Sequence, residues 1–347
     1  MRSSIRRFRL GGLLLLLVLA FLLDLSSGPV RIPLREICHI LFSRGSGDQT
    51  WAFIVRSIRL PKAITAVLAG CGLSVSGLQM QTMFRNPLAE PGVLGITAGA
   101  SFGVAAVMLS GGGMATLYAI RELGSPGSWL IAIAACIGAG LVMLLVLALS
   151  SRLRDNVLML VIGLMMNSIT VALTSIWQYF SNPEEVKEYL LWTFGSLGGV
   201  TGSQLYILMA IVCIGLTIVF LCSKLLDALL LGENYARSMG LTVKRARVII
   251  VCSTSLLAGS ITAFCGPIGF IGIAVPHLAR LLFNTSGHRI LMPASCLIGA
   301  ILLLACDCIA QWPGTQTVLP INIITSLVGA PVVIYLLVRK KNLNIYR

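Results

Sequence analysis

Apolar residues in this sequence run in long blocks that end at charges or at Gly and Pro. A helix needs roughly 20 apolar residues to cross a hydrocarbon layer about 30 Å thick. Ten blocks approach that length, at 11–25, 61–82, 92–110, 128–150, 157–180, 203–222, 248–266, 268–283, 290–311 and 317–338. The eighth is short and broken by Pro276, and the third is rich in Gly and Ala. The pattern predicts an all-α polytopic membrane protein with about ten transmembrane helices, a single domain over 1–347 joined by short loops.

Two of the blocks are interrupted by residues that a lipid-exposed helix would avoid. "FRNPLAEPGVLGITAGASFG" (84–103) sets Arg85, Glu90, Pro87 and Pro91 between apolar runs, and "FCGPIGFIGIAVPHLARL" (264–281) carries Gly266-Pro267, Gly269, Gly272 and Pro276. Proline removes a backbone donor and bends the chain, and Asn86 is a residue type that caps a turn. Irregular backbone at membrane depth is tolerated only where protein or a water-filled cavity covers it. Paired interruptions in the two halves of a chain are left by transporters built from repeats. A weak internal echo agrees, since "VLAGCGLSVSG" (67–77) resembles "LLAGSITAFCG" (256–266) and each leads into a proline break. Small residues at 69–77, 95–103, 138–140 and 195–202 suit close helix packing in lipid.

Composition narrows the class. The 347 residues are 57 % hydrophobic and 11 % charged, with mean hydropathy +0.93, which excludes an ordinary soluble domain. A net charge of +14 raises nucleic acid as a partner, but in a membrane chain the placement of Lys and Arg records topology. With ten spans and a cytoplasmic N-terminus, most of the 26 Lys and Arg residues fall on the cytoplasmic side. The outer side receives Arg31, Arg35, Arg44, Arg56, Arg59, Lys62, Arg121 and Lys187. Both termini are therefore expected in the cytoplasm, with no nucleic-acid role, and the outward excess within 31–62 stands out. The opening "MRSSIRRFRLGGLLLLLVLAFLL" reads as a signal anchor, because no clean small-x-small cleavage site follows it.

Candidate chemistry is sparse. The ten cysteines fall mostly inside apolar blocks, where they act as small hydrophobes. Cys306-Asp307-Cys308 has no His or further Cys pair near it in sequence to complete a metal site. Asp307 either faces a cavity or a partner, as acids within spans do, or snorkels to the outer interface. His39, His277 and His288 are scattered and no nucleophile has a base beside it, so neither a catalytic nor a metal site is expected. The segment 223–247 is amphipathic, apolar at Leu225, Leu226, Leu229 and Leu230, and turns at Gly232 and Gly240. It suits an interfacial helix on the membrane or a short helix docked in a partner's groove.

Five stretches in order carry a resemblance. They are "RLPKAITAVLAGCGLSVSGLQMQTMFRNPLAEPGVLGITAGA" (59–100), "GENYARSMGL" (232–241), "GPIGFIGIAVPHLARLL" (266–282), "GHRILMP" (287–293) and "LPINIITSLVGAPVVIYLL" (319–337). Over nearly its whole length the chain resembles the permease subunits of ATP-driven iron-siderophore, haem and vitamin B12 importers, the type II ABC importers. The resemblance implies a vitamin B12 permease-like fold of ten helices in the bacterial inner membrane, paired as a homodimer around a central path. It implies a cytoplasmic ABC ATPase dimer that holds ATP and Mg, a periplasmic or lipid-anchored substrate-binding protein, and no cofactor on this chain. With no GxxxxGK[ST] phosphate loop in the sequence, ATP hydrolysis is assigned to the partner and the chain is not expected to be an enzyme.

Site residues follow from the same resemblance. Arg59 and Lys62, with Arg56 close by, match the basic element through which similar permeases meet Glu side chains of the binding protein; lipid headgroups are the alternative partner for that cluster. A further docking Arg of the vitamin B12 permease is Gln311 here. Gly232, Glu233, Ala236, Arg237 and Gly240 match the coupling element that sits in the ATPase groove, within the loop 223–247. Asn86 and Leu88, opposed by Asn156 and Val157, match a cytoplasmic gate, the alternative being a packed turn with no gating role. The expected function is import of an iron chelate, siderophore or haem, by alternating access. Vitamin B12 is the alternative cargo, and an ion-coupled secondary transporter or a polytopic membrane enzyme are the other classes.

Overall fold

Each of the ten blocks folds as helix in the computed structural model, which describes residues 2–42, 48–109, 125–150, 156–200, 202–311 and 318–338. Helix α1 spans Arg2–Ser26 and α2 Leu34–Phe42. Helix α3 is continuous over Gln49–Met83 and includes a π-helical turn at Ile54–Arg59. A short 3-10 turn, Pro91–Leu94, leads into α4 (Ile96–Met108), followed by α5 (Ser125–Ser150) and α6 (Asn156–Phe180). Next come α7 (Pro183–Thr193), α8 (Ser203–Leu221), α9 (Ser223–Leu230) and α10 (Glu233–Ser238). The chain ends with α11 (Val243–Cys265), α12 (Ile271–Phe283), α13 (His288–Ala310) and α14 (Ile321–Val338).

Among the described residues, seven helices, α1, α3, α5, α6, α8, α11 and α13, are long and apolar enough to cross a membrane, while α4, α12 and α14 are shorter apolar helices. The shortening of α4 and α12 has a visible cause. Each starts only after an interruption, at 84–95 and 266–270, that consumes part of its apolar block. Of the basic residues that set the expected topology, Arg44, Arg121, Arg152, Arg154, Arg339, Lys340, Lys341 and Arg347 lie outside the described residues.

Burial sorts the helices into an axis and a periphery. The apolar window of α3 is 78 % buried against 11 % for that of α1, so α3 is the axis and α1 presents leucines outward. Helix α3 packs on α11, α12 and α13, and α4 packs on α5. Between apolar helices in lipid, close van der Waals approach drives association, and the glycines supply it. A Cβ on Gly70 would overlap the Gly299 carbonyl of α13, and a Cβ on Gly77 would overlap the Gly272 carbonyl of α12. Gln79 of the axis is satisfied across helices. Gln79 of α3 donates to Ser253 Oγ at 2.8 Å and accepts from Thr254 Oγ1 at 3.1 Å, both on α11.

Candidate functional site

The two interruptions meet. Gln81, near the end of α3, donates to the carbonyls of Gly272 and Ile273, each at 3.3 Å, and accepts from the Arg280 guanidinium at 2.6 Å. His277 Nε2 donates to the Pro87 carbonyl at 3.0 Å, which places a proton on that ring nitrogen because a carbonyl only accepts. The Glu90 carboxylate accepts from the backbone N–H of Phe270. Arg85 (φ +49°) and Phe270 (φ +67°) sit in the left-handed region that non-glycine residues seldom adopt, a conformation held only where surrounding contacts fix it. Each break therefore supplies the polar partners that the other's freed backbone needs in lipid.

Together they wall a cavity of about 710 Å³. The first break contributes Glu90 to Val93 and the second Pro267 to Phe270, while α6, α7 and α14 close the other side. Its polar lining includes Asn167, Ser175 and Gln178 of α6, Thr193 of α7, and Asn322 of α14. Tyr189 of α7 hydrogen-bonds Ser101 and Thr174 across the cavity wall. Asn322 Oδ1 accepts from the Gly269 N–H at 3.0 Å and so fixes the second break. Such a space, concave and lined by apolar residues with a few hydrogen-bonding groups and the Glu90 carboxylate, has the size and character of a small-molecule site.

At the C-terminal end of α3 the chain turns through the expected gate. Asn86 Oδ1 accepts from the Leu88 N–H at 3.0 Å, an Asx turn, and Leu88 is exposed. Asn156 and Val157 form the first turn of α6, and their side chains lie outside the described set. One turn before the gate, Thr82 Oγ1 donates to Leu78 O and lies 2.8 Å from His288 Nε2. The other ring nitrogen of His288 lies 2.6 Å from Asp227 Oδ1 on α9, and the same oxygen accepts the His288 backbone N–H at 2.8 Å. Gly287, the N-cap of α13, has no side chain to cap with. Asp227 supplies the missing cap from another helix, where the helix dipole favours a carboxylate. Burial pushes the Asp227 carboxyl up, but its hydrogen bonds from the His288 ring and backbone outweigh that and hold it below its ordinary 3.8.

The loop after α9 carries the expected coupling residues. Gly232 (φ +112°) turns the chain into α10, and Gly240 (φ +82°) ends it. The Gly240 N–H bonds Arg237 O and the Leu241 N–H bonds Ala236 O, the two-bond C-terminal motif for which glycine is favoured. Ala236 is fully buried. Glu233 pairs with Arg247 at 2.6 Å and with Arg237 at 3.3 Å. Arg237 keeps 57 % of its side chain exposed. A Cβ added to Gly232 would lie 3.6 Å from the Arg85 guanidinium, so the Arg85 side chain reaches beside the 232–241 loop.

The N-terminal part of α3 departs from expectation. Arg59 is buried and donates to the carbonyls of Leu25 and Val30, while Lys62 pairs with Asp307 at 2.9 Å. Asp307 also accepts from Gln311 at 2.6 Å and hydrogen-bonds Asp24, which in turn faces Cys308 Sγ at 3.6 Å. Arg59 and Lys62, expected on the docking surface, are turned inward because buried carboxylates and carbonyls demand cations. Of the acid's two expected settings, partner or snorkelling, Asp307 takes the partner. Arg56 remains exposed, bonded to Ile40 O at 2.7 Å, alongside exposed Arg31 and Arg35.

The structure thus places the turn at Arg85–Leu88 between the cavity and the 232–241 loop. It adds Glu90, Asp227 and His288, which sequence reading had left aside. A helix starting at Gly287-His288 with no capping side chain was the one available signal for Asp227.

Comparison with known proteins follows the same lines. The FecCD transport family matches residues 16–339. A curated relative, the vitamin B12 import system permease protein BtuC of Klebsiella pneumoniae, is 36 % identical over 330 residues, covering 95 % of this chain and 93 % of the relative. Its counterpart of the same name in Salmonella typhi is 35 % identical, covering 94 % of each. A solved structure described as an inward-facing conformation of a metal-chelate type ABC transporter superposes with a TM-score of 0.82 at 26 % identity, over 96 % of this chain and 99 % of that one.

Proposed function

The chain belongs to the FecCD transport family, and from that premise we propose that it is the transmembrane permease subunit of an ATP-driven importer of a metal chelate or corrinoid. The observation that carries this reading is the convergence of both helix interruptions on one cavity, with the Arg85 side chain reaching beside the 232–241 loop. In the proposed arrangement ten helices cross the bacterial inner membrane with both termini in the cytoplasm. Two copies face each other around the path, and Arg237 and its neighbours sit in a groove of a cytoplasmic ABC ATPase. Closure of the ATPase dimer on ATP and Mg would push α10, move the Arg85–Leu88 turn and expose the cavity to one side at a time. A substrate-binding protein would dock on segment 31–62. Arg56 serves that role first, because Arg59 and Lys62 would have to exchange internal bonds to do so.

Iron chelates and vitamin B12 both stand as cargo. The names of the curated relatives favour the corrinoid, and the structural neighbour's description favours a metal chelate in general. The test is co-expression with the ATPase and binding protein, followed by uptake of labelled ferric siderophore, haem and cyanocobalamin into proteoliposomes. ATP-dependent accumulation of one of them, abolished by Arg237→Glu, is the expected result. An ATPase that never binds the chain would overturn the reading.

A further inference from the structure

Resting on the permease reading for what passes through it, we propose that the cavity between the two interruptions admits a large polar cargo with no net negative charge and disfavours polyanions, with Glu90 setting the sign. Among the described residues that line the cavity there is no Lys, Arg or His, and Glu90 is the single carboxylate. The chain holds 26 Lys and Arg residues, so cations are available and are placed elsewhere. Those nearest in the packing are already committed, Arg280 to Gln81 and His277 to Pro87 O.

An anion entering a space screened by protein and lipid gives up hydration, and only a countercharge or a dense set of donors repays it. Asn167, Gln178 and Asn322 offer amides, and Ser175 and Thr193 offer hydroxyls. These groups donate and accept alike. They suit carboxamide, hydroxamate and hydroxyl groups, and they leave a fixed negative charge uncompensated. Glu90 tilts the balance further: burial opposes its charge, the Phe270 N–H donates to the carboxylate and favours the ionised form on the wall, and a carboxylate there acts through surroundings that screen it little. The cargo classes separate on this ground. A ferric tris-catecholate is a trianion and haem carries two propionates, whereas a ferric tris-hydroxamate and an amide-rich corrinoid bear no net negative charge at the chelate.

The charge of the cavity is measurable without knowing the cargo. Ser175→Cys, in a full-length chain whose ten native cysteines are replaced, would be reacted in nanodiscs with cationic and anionic methanethiosulfonates, each normalised to free cysteine. The cationic reagent is expected to react about tenfold faster or more, the size of effect a local field imposes on charged reactants. Glu90→Gln keeps an oxygen for the Phe270 N–H and removes the charge, and should bring the two rates within about threefold of each other. Gln178→Arg, which leaves that hydrogen bond untouched, should favour the anionic reagent and keeps the test open should Glu90→Gln fail to fold. Equal rates in the unsubstituted cavity, or a ratio that neither variant moves, would overturn the proposal, as would ATP-driven uptake of the tris-catecholate. Loss of ATPase binding with the rate ratio intact would remove the permease reading and leave the charge preference standing.

Discussion

Helix α3 carries a charged cluster toward each end, and the two are built on opposite terms. Toward its N-terminal end, Arg59, Lys62, Asp24 and Asp307 form a closed set in which both acids are almost fully buried and Lys62 keeps 13 % of its side chain exposed. Toward its C-terminal end, Thr82, His288 and Asp227 run outward to a half-exposed carboxylate, and the neighbouring loop leaves Arg237 57 % exposed. Breaking a buried ion pair strands a charge away from water, whereas an exposed pair exchanges with solvent at little cost. The first cluster therefore resists rearrangement and locks α1, α3 and α13 together. The second is buried at Thr82 and His288 and reaches solvent only at Asp227, with Arg237 of the neighbouring loop exposed beside it.

The sharpest way to break that contrast is at the closed end. Lys62→Met should leave Asp307 without its ion-pair partner and destabilise the protein by about 3–5 kcal/mol, the usual cost of removing one partner of a buried pair. Thermal unfolding in detergent would read it. Adding Asp307→Leu to Lys62→Met should recover part of the loss, because an apolar pair of similar volume often replaces a buried ion pair without penalty. A Lys62→Met protein as stable as its parent would mean that the outer cluster is no lock.

At the open end the same type of change should cost less. Asp227→Ala removes the cap on α13 and the partner of the His288 ring, an expected loss of about 1–3 kcal/mol. The effect should also depend on pH in a definite sense. Because the folded carboxyl titrates below its ordinary 3.8, its contribution is present above the unfolded value and is lost as pH falls through the folded one. The difference in unfolding midpoint between parent and Asp227→Ala should therefore shrink below about pH 4. A gap that stays constant from neutral pH into that range would remove the carboxylate from the account.

How far the sequence foretold these regions follows the same division. The ten helical blocks and both interruptions were legible because lipid imposes length and a ban on bare backbone, rules that act along the chain. The turns of the 223–247 loop were legible because Gly232 and Gly240 stand at the ends of a short polar stretch and not inside an apolar block. The inward turn of Arg59 and Lys62 was not, since it depends on Asp24 and Asp307, which lie far from them in sequence. His288 looked isolated for the same reason. Its partners Thr82 and Asp227 are 206 and 61 positions away. Long-range pairing of polar groups is decided by packing, which periodicity does not encode.

Within the loop itself the contrast can be sharpened with smaller perturbations. Gly240 adopts φ +82°, and Gly240→Ala should cost about 1 kcal/mol, the typical penalty for a side chain in the left-handed region at a helix end. Limited proteolysis of 232–241 would then rise before global unfolding changes.

The smallest expected effect on stability is also the one with the largest expected functional consequence. Arg237 meets Glu233 at 3.3 Å across one helical turn with most of its side chain in solvent, and such i,i+4 pairs contribute about 0.3–0.5 kcal/mol. Glu233 retains Arg247 at 2.6 Å whether or not Arg237 is present, so the fold of α10 does not depend on the exposed guanidinium. Arg237→Glu removes that pair and sets two carboxylates one turn apart, so it should lower the unfolding free energy by no more than about 0.5–1 kcal/mol. If the exposed end of the molecule is the one that meets the ATPase, the same substitution should weaken ATPase association at least about tenfold, since reversing a rim charge at a complementary interface commonly costs that much or more. A co-purification titration beside a melting curve reads both quantities on one preparation. A large loss of stability would place Arg237 with the closed cluster, and unchanged association would move the ATPase contact elsewhere in the loop.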